Sequence, residues 1–142
     1  MSTVMGVTSW KAGEQIHLRV YSLQSTGTLL ERCWDSNSWY NGALTGKYPA
    51  STGAGATSWL VGTAIHIRVY AVGTNGKIME YCWDGNGPWY EGALSNQFSG
   101  DVAPQATSWL DANGGVHIRV YCDQKEYCWD GNGPWYVGAY TA

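Results

Sequence analysis

The sequence predicts an all-β protein: a β-propeller with three four-stranded blades per chain, closed into a six-bladed ring by dimerisation. Three observations carry this. A Thr-Ser-Trp triplet ends at Trp10, Trp59 and Trp109, at intervals of 49 and then 50 residues, and a period of this size marks a repeat architecture. Within each copy apolar and polar residues alternate with period two, and no segment has a helical period. Clusters of Gly, Asn, Asp and Pro punctuate the alternating runs, as turns require.

The middle copy shows the elements in order. Thr57-Ser58-Trp59-Leu60 makes the first strand. Residues 65–70 make the second, with Ile65, Ile67 and Val69 on one face and His66, Arg68 and Tyr70 on the other. Gly73-Thr74-Asn75-Gly76 is a hairpin turn, and residues 78–83 are the third strand. Asp84-Gly85-Asn86-Gly87-Pro88 is a turn rich in residues that accept positive φ, and residues 89–94 form a short fourth strand. The first copy repeats this with Ile16-His17-Leu18-Arg19-Val20-Tyr21, Glu31-Arg32-Cys33-Trp34-Asp35 and Trp39-Tyr40-Asn41-Gly42-Ala43. The third has Val116-His117-Ile118-Arg119-Val120-Tyr121, Glu126-Tyr127-Cys128-Trp129-Asp130 and Trp135-Tyr136-Val137-Gly138-Ala139. Four short antiparallel strands in such a repeat describe one propeller blade.

The blades cover about 7–44, 56–94 and 106–140 of a single domain, joined by linkers over 45–56 and 95–106. Two copies depart from the pattern. Arg119 and Glu126 are 7 positions apart where the other Arg/Glu pairs are 12 apart, so the third hairpin shortens to a turn near Cys122-Asp123. The first copy has Ser36-Asn37-Ser38 where the second has Gly85-Asn86-Gly87-Pro88. Propellers typically have about 4–8 blades, so three leave two aromatic-rich faces open. A symmetric dimer, the commonest closed oligomer, would cover them.

Composition narrows the partners. Charged residues are 13% of the 142, the formal net charge is −3, and no Lys/Arg run exists, which argues against nucleic acid. The aromatic 14% is nine Trp, ten Tyr and one Phe. Trp and Tyr carry a polar handle, which suits an amphipathic ligand. No apolar run approaches the roughly 18 residues of a membrane span, so no membrane insertion is expected. The opening Met1-Ser2-Thr3-Val4-Met5-Gly6 has neither a basic nor an apolar signal region. The expectation is a cytoplasmic protein, or one exported by a non-classical route. Cys33, Cys82 and Cys128 occupy one equivalent position per copy, and repeat symmetry is expected to keep such positions on separate blades farther apart than the about 7 Å a disulfide allows. All four cysteines, Cys122 included, are read as free thiols.

The chemistry lies in one recurring set. Arg and Glu stand on neighbouring strands of one hairpin, directly opposed and so on one face. Glu80 and Trp83 are three apart, so they point to opposite faces. Blades pack face to face, and the Arg/Glu face of one should meet the Trp face of the next. A guanidinium, a carboxylate and indoles around one crevice suit a sugar. Adjacent hydroxyls take charge-assisted hydrogen bonds of about 1.5–3 kcal/mol each, and a C–H patch packs on the indole. The alternative is a structural ion pair with the Trp as core. Buried ion pairs are weak devices for stability, and their recurrence opposite Trp in every copy favours a binding site.

His17, His66 and His117 have no neighbouring ligand cluster, so they read as hydrogen-bonded packing residues rather than metal ligands. Asp35, Asp84 and Asp130 read as turn-formers. A glycosidase needs two facing carboxylates about 5–10 Å apart. Glu80 and Asp84 are the pair available, and Arg68 opposite Glu80 would hold its pKa down rather than make it an acid. The chain is expected not to be an enzyme and to need no cofactor. The other readings are a propeller scaffold for a protein partner and a glycan-processing enzyme.

Thr-Ser-Trp, His-Ile-Arg-Val-Tyr, Glu-x-Cys-Trp-Asp-Gly and Trp-Tyr-x-Gly-Ala together resemble the fucose-binding six-bladed propeller lectins, the Aleuria-type family and its short bacterial relatives. The resemblance covers nearly the whole chain, threefold. It implies metal-free binding of L-fucose and fucosylated glycans at sites between adjacent blades. The implied contacts are Arg19, Glu31 and Ala43 with Trp83 and Trp89, then Arg68, Glu80 and Ala93 with Trp129 and Trp135. The third set is Arg119, Glu126 and Ala139 with Trp34 and Trp39 of the partner chain.

Overall fold

The computed structural model describes residues 4–142. Residues 1–3, on which part of the signal-segment expectation falls, lie outside the described residues. Blade 1 consists of β1 (Gly6–Ala12), β2 (Gln15–Leu23), β3 (Leu29–Trp34) and β4 (Trp39–Asn41). Blade 2 has β5 (Ala54–Val61), β6 (Ala64–Val72), β7 (Ile78–Trp83) and β8 (Tyr90–Glu91). Blade 3 has β9 (Gln105–Leu110), β10 (Val116–Cys122), β11 (Lys125–Trp129) and β12 (Tyr136–Val137). Each blade is its own antiparallel sheet with strands in sequence order. The fourth strand of blade 2 is shorter than expected. Trp89 precedes it, and after Glu91 the chain turns through hydrogen bonds such as Ser95 N to Gly92 O at 3.1 Å.

The register corrects one expectation. Arg and Glu share a face but are not directly opposed: Arg68 faces Cys82, and Glu80 faces Tyr70. The same pairing, Tyr opposite Glu, holds in blades 1 and 3. The short third hairpin keeps it by turning through Asp123 and Gln124, with φ of 52° and 63°. Positive φ at both central residues is the twist-compatible hairpin turn. The longer tips of blades 1 and 2 have a linker laid against them. Leu29 N donates to Tyr48 O at 2.9 Å and Ile78 N to Phe98 O at 2.8 Å.

The apolar core lies at the blade junctions. Ile67, Val69 and Tyr81 of blade 2 pack with Tyr21 and Leu44 of blade 1. Ile118, Val120 and Tyr127 of blade 3 pack with Tyr70 and Leu94 of blade 2. The first strands of successive blades run closest together. A Cβ on Gly6 would lie 2.7 Å from Gly55 Cα, so only glycine fits. Beside it Thr8 Oγ1 bonds Ser58 Oγ at 2.6 Å, and Thr57 Oγ1 bonds Ser108 Oγ at 2.7 Å. The Thr-Ser of the repeat is thus a blade-to-blade ladder.

Candidate functional site

Among the described residues, two crevices bring the Arg/Glu face of one blade against the Trp face of the next. The first is lined by Arg19, Glu31, Cys33, Tyr40, Gly42 and Ala43 of blade 1 and Trp83 and Trp89 of blade 2, and encloses about 140 Å³. The second is lined by Arg68, Glu80, Cys82, Tyr90, Gly92 and Ala93 of blade 2 with Ile118, Trp129 and Trp135 of blade 3, about 150 Å³. Both are well below the about 300 Å³ at which pockets for drug-sized ligands begin. They suit one small ring.

The sequence-derived residues of the first two sites therefore converge. Those of the third do not meet within the chain. Arg119, Glu126 and Ala139 lie on the open face of blade 3, and Trp34 and Trp39 on the open face of blade 1. Exposure shows the difference: Trp39 is 43% exposed, whereas its equivalents Trp89 and Trp135 are 5% exposed.

Each Glu is berthed deep in its crevice. Glu80 Oε2 accepts from Tyr70 OH at 2.7 Å, and Oε1 accepts from Leu94 N at 3.2 Å. Glu31 does the same with Tyr21 and Leu44 at 2.8 and 3.2 Å. Gly92 forms the roof of the berth, where a Cβ would overlap Glu80 Oε1 and stand 2.7 Å from Cys82 Sγ. Here a second expectation is corrected. Burial raises the Glu80 and Glu31 pKa values above the usual range, outweighing the hydrogen bonds and the arginine charge. Glu126 has no blade over it, and the hydrogen bond from Tyr121 leads the causes that lower it.

The arginine's ion-pair partner is not this Glu. Arg68 Nη1 donates to Asp84 Oδ1 at 2.9 Å and to Ile67 O at 3.0 Å. His66 Nδ1 lies 2.7 Å from the same Oδ1, and Tyr90 OH donates to Oδ2. The turn-former reading of Asp35, Asp84 and Asp130 is therefore corrected: each is the hub of a polar cluster in all three blades. Burial would raise Asp84, but the hydrogen bonds from Tyr90, His66 and Arg68 prevail and hold it down to about 2. The histidines are hydrogen-bonded packing residues, as read from sequence. Each stacks on the Trp of Thr-Ser-Trp, Trp59 and His66 at 5.4 Å and 13°.

Sequence reasoning missed Cys33, Cys82, Tyr40, Tyr90, Gly42, Gly92 and Ile118 as lining residues. The signal for Ile118 was available, since it pairs with Trp129 and so shares the Trp face of its blade. The four cysteines are free and buried. Burial pushes Cys82 up to about 12 and Cys33 to about 11, so the crevice floors carry thiols, not thiolate nucleophiles. Asp84 is occupied by Arg68 and His66 and does not line the second crevice, so no carboxylate pair of the glycosidase kind faces across it. What the arrangement offers is recognition: an ionisable acceptor, a fixed cationic donor and an indole wall.

Comparison with known proteins agrees with this geometry. The family model for the fungal fucose-specific lectin matches residues 10–142. No curated protein sequence matches the chain. A fucose lectin from Kordia zhangzhouensis, solved in complex with methyl-fucoside, is 63% identical. The match covers 96% of this chain and 100% of that one, with a TM-score of 0.93. The Aleuria aurantia lectin, solved as a mutant in complex with Fucalpha1-6GlcNAc, is 30% identical, with a TM-score of 0.73. That match covers 96% of this chain and 44% of the Aleuria chain. A further structure of the Aleuria lectin, 24% identical with a TM-score of 0.73, is described as a six-bladed β-propeller. There the match covers 95% of this chain and 47% of that one, so this chain has three blades of that fold. The chain belongs to the fungal fucose-specific lectin family.

Proposed function

We propose that this chain is a lectin that holds L-fucose, and the fucosylated ends of glycans, in the crevices between its blades. The observation that carries it is the first crevice, where Arg19 and Glu31 of one blade face Trp83 and Trp89 of the next. A pair of adjacent sugar hydroxyls accepts from the guanidinium and donates to the carboxylate. The apolar side of the ring, with the C6 methyl of fucose, lies against indole. Trp89 N–H has no protein partner among the described residues and is free to donate to the ligand. The complex of the Kordia lectin with methyl-fucoside supports the choice of sugar.

The same reading extends to a homodimer with a third site. The open face of blade 1 offers Trp34, Trp39 and the hydroxyl of Ser9, and that of blade 3 offers Arg119, Glu126 and the hydroxyl of Thr107. These are the same parts that meet at the two internal junctions. Calorimetry with α-methyl-L-fucoside is expected to give a Kd in the micromolar range, about −6 to −8 kcal/mol, unchanged by EDTA. A glycan array that retains mannose or galactose and no fucose would overturn the reading.

A further inference from the structure

We infer that Asp35, Asp84 and Asp130 are positioning residues for the three sugar sites, each locking the guanidinium that its crevice presents. This rests on the fucose reading above and adds the residues that reading leaves unused: the Trp of Thr-Ser-Trp, the His two before each Arg, and the Asp after Cys-Trp.

In blade 2 the guanidinium of Arg68 is held on two sides. Its carbon lies 5.0 Å from the centroid of the Trp59 ring. One nitrogen, Nη1, spends its hydrogens on Asp84 Oδ1 and Ile67 O, at 2.9 and 3.0 Å. Nε and Nη2 have no protein partner among the described residues, and Arg68 lines the crevice. Asp84 is itself pinned from the neighbouring strands, by His66 on β6 and Tyr90 on β8. Blades 1 and 3 reproduce the clamp of aspartate and indole, and in blade 1 Nη2 of Arg19 also reaches Asp35 Oδ2, at 3.5 Å. Arg19 and Arg119 reach Asp35 and Asp130 at 2.9 Å each, over Trp10 at 4.8 Å and Trp109 at 5.1 Å.

Neither Asp35 nor Asp84 lines its crevice, so direct ligand contact is not their role. A free arginine side chain samples many rotamers, and a ligand that had to order it would bind more weakly. Here the aspartate and the indole have already selected one rotamer and turned the unused donors to the crevice. The plain alternative is that Asp84 ties β6, β7 and β8 together and nothing more.

The test compares Asp84→Asn and Asp84→Ala in the full chain, with α-methyl-L-fucoside as probe. Asparagine keeps an acceptor for Arg68 and removes the charge; alanine removes both. Calorimetry is expected to show one class of site weakened by roughly 10-fold or more for alanine, the scale of one charge-assisted hydrogen bond. Asparagine should fall between alanine and the unaltered chain, and the remaining sites should keep their affinity. Thermal unfolding read alongside separates the alternative. If Tm falls and every site keeps its affinity, the aspartate is only a strand tie and the proposal is wrong. Should alanine not fold, the asparagine variant alone decides by the same criterion. If the unaltered chain fails to bind the fucoside, the fucose reading is what fails. Positioning is then read from NMR relaxation of the Arg68 Nε–H, expected rigid in the unaltered chain and mobile in the variant. Equal mobility in both would overturn it.

Discussion

Glu80 and Asp84 are four residues apart and titrate in opposite senses. Burial raises Glu80 above the usual value of 4.5, while three donors hold Asp84 at about 2. For Asp84 the folded pKa is depressed, so its stabilisation is present above the usual 3.8 and is lost as pH falls towards about 2. For Glu80 it is raised, so its stabilisation is present below 4.5 and is lost as pH rises through the folded value. The sugar acceptor therefore protonates first on acidification. Fucoside affinity at the two internal crevices is expected to drop as pH falls through a value above 4.5, while circular dichroism stays unchanged. Calorimetry in a pH series checks this, and affinity that stays flat down to the titration of Asp84 would remove Glu80 from the acceptor role. The sequence made Glu80 legible through its strand position. The Asp84 role was hidden because spacing locates a residue at a strand end and says nothing of where its side chain folds back.

At the scale of the element, the hairpin of β6 and β7 fixes what the site contains. Alternation in residues 65–70 was enough to put Arg68 and Tyr70 on one face. The pairing partner depends on how many residues the turn consumes, which alternation does not report, so Arg68 met Cys82 rather than Glu80. The diagonal offset leaves room for the carboxylate to turn away from the arginine and lie under Gly92. That glycine, just past β8, is required by proximity and not by backbone angle. Gly92→Ala pushes against the Glu80 carboxylate and Cys82 Sγ, side-chain atoms rather than backbone. The expected result is a loss of stability of about 1–3 kcal/mol, with the fucoside site of Arg68 lost and the blade still folded. Denaturant melts together with calorimetric stoichiometry test it, and full occupancy in the variant would show that the berth does not matter.

At the scale of the whole molecule, two junctions are filled and two faces are left bare. The threefold repeat made the blades and their packing legible. What the sequence could not reveal was how the first strands interlock, because a Thr-Ser pair looks like any exposed strand until the next blade stands beside it. The proposed dimer, about twice the 15.5 kDa chain mass by light scattering, brings Trp34 of one protomer to Arg119 of its partner. Trp34→Ala is expected to lower fucoside stoichiometry from three per chain to two. Adding Arg119→Ala should cost nothing further, and adding Arg19→Ala instead should leave one. Non-additivity marks residues that share a function, and the reverse pairing would put Arg19 and Trp34 in one site. The bare faces have a further consequence. In the proposed dimer they meet each other and not themselves, so the chain has a head and a tail. Head-to-tail joining closes only when the angles add to a full turn; otherwise it runs on as a helical filament. In the proposed dimer each chain must sweep half a circle. The packing of blade on blade, through the apolar junctions and the Thr-Ser ladder, is the gauge of that angle, and a substitution that shifts it trades a sealed ring for a fibre.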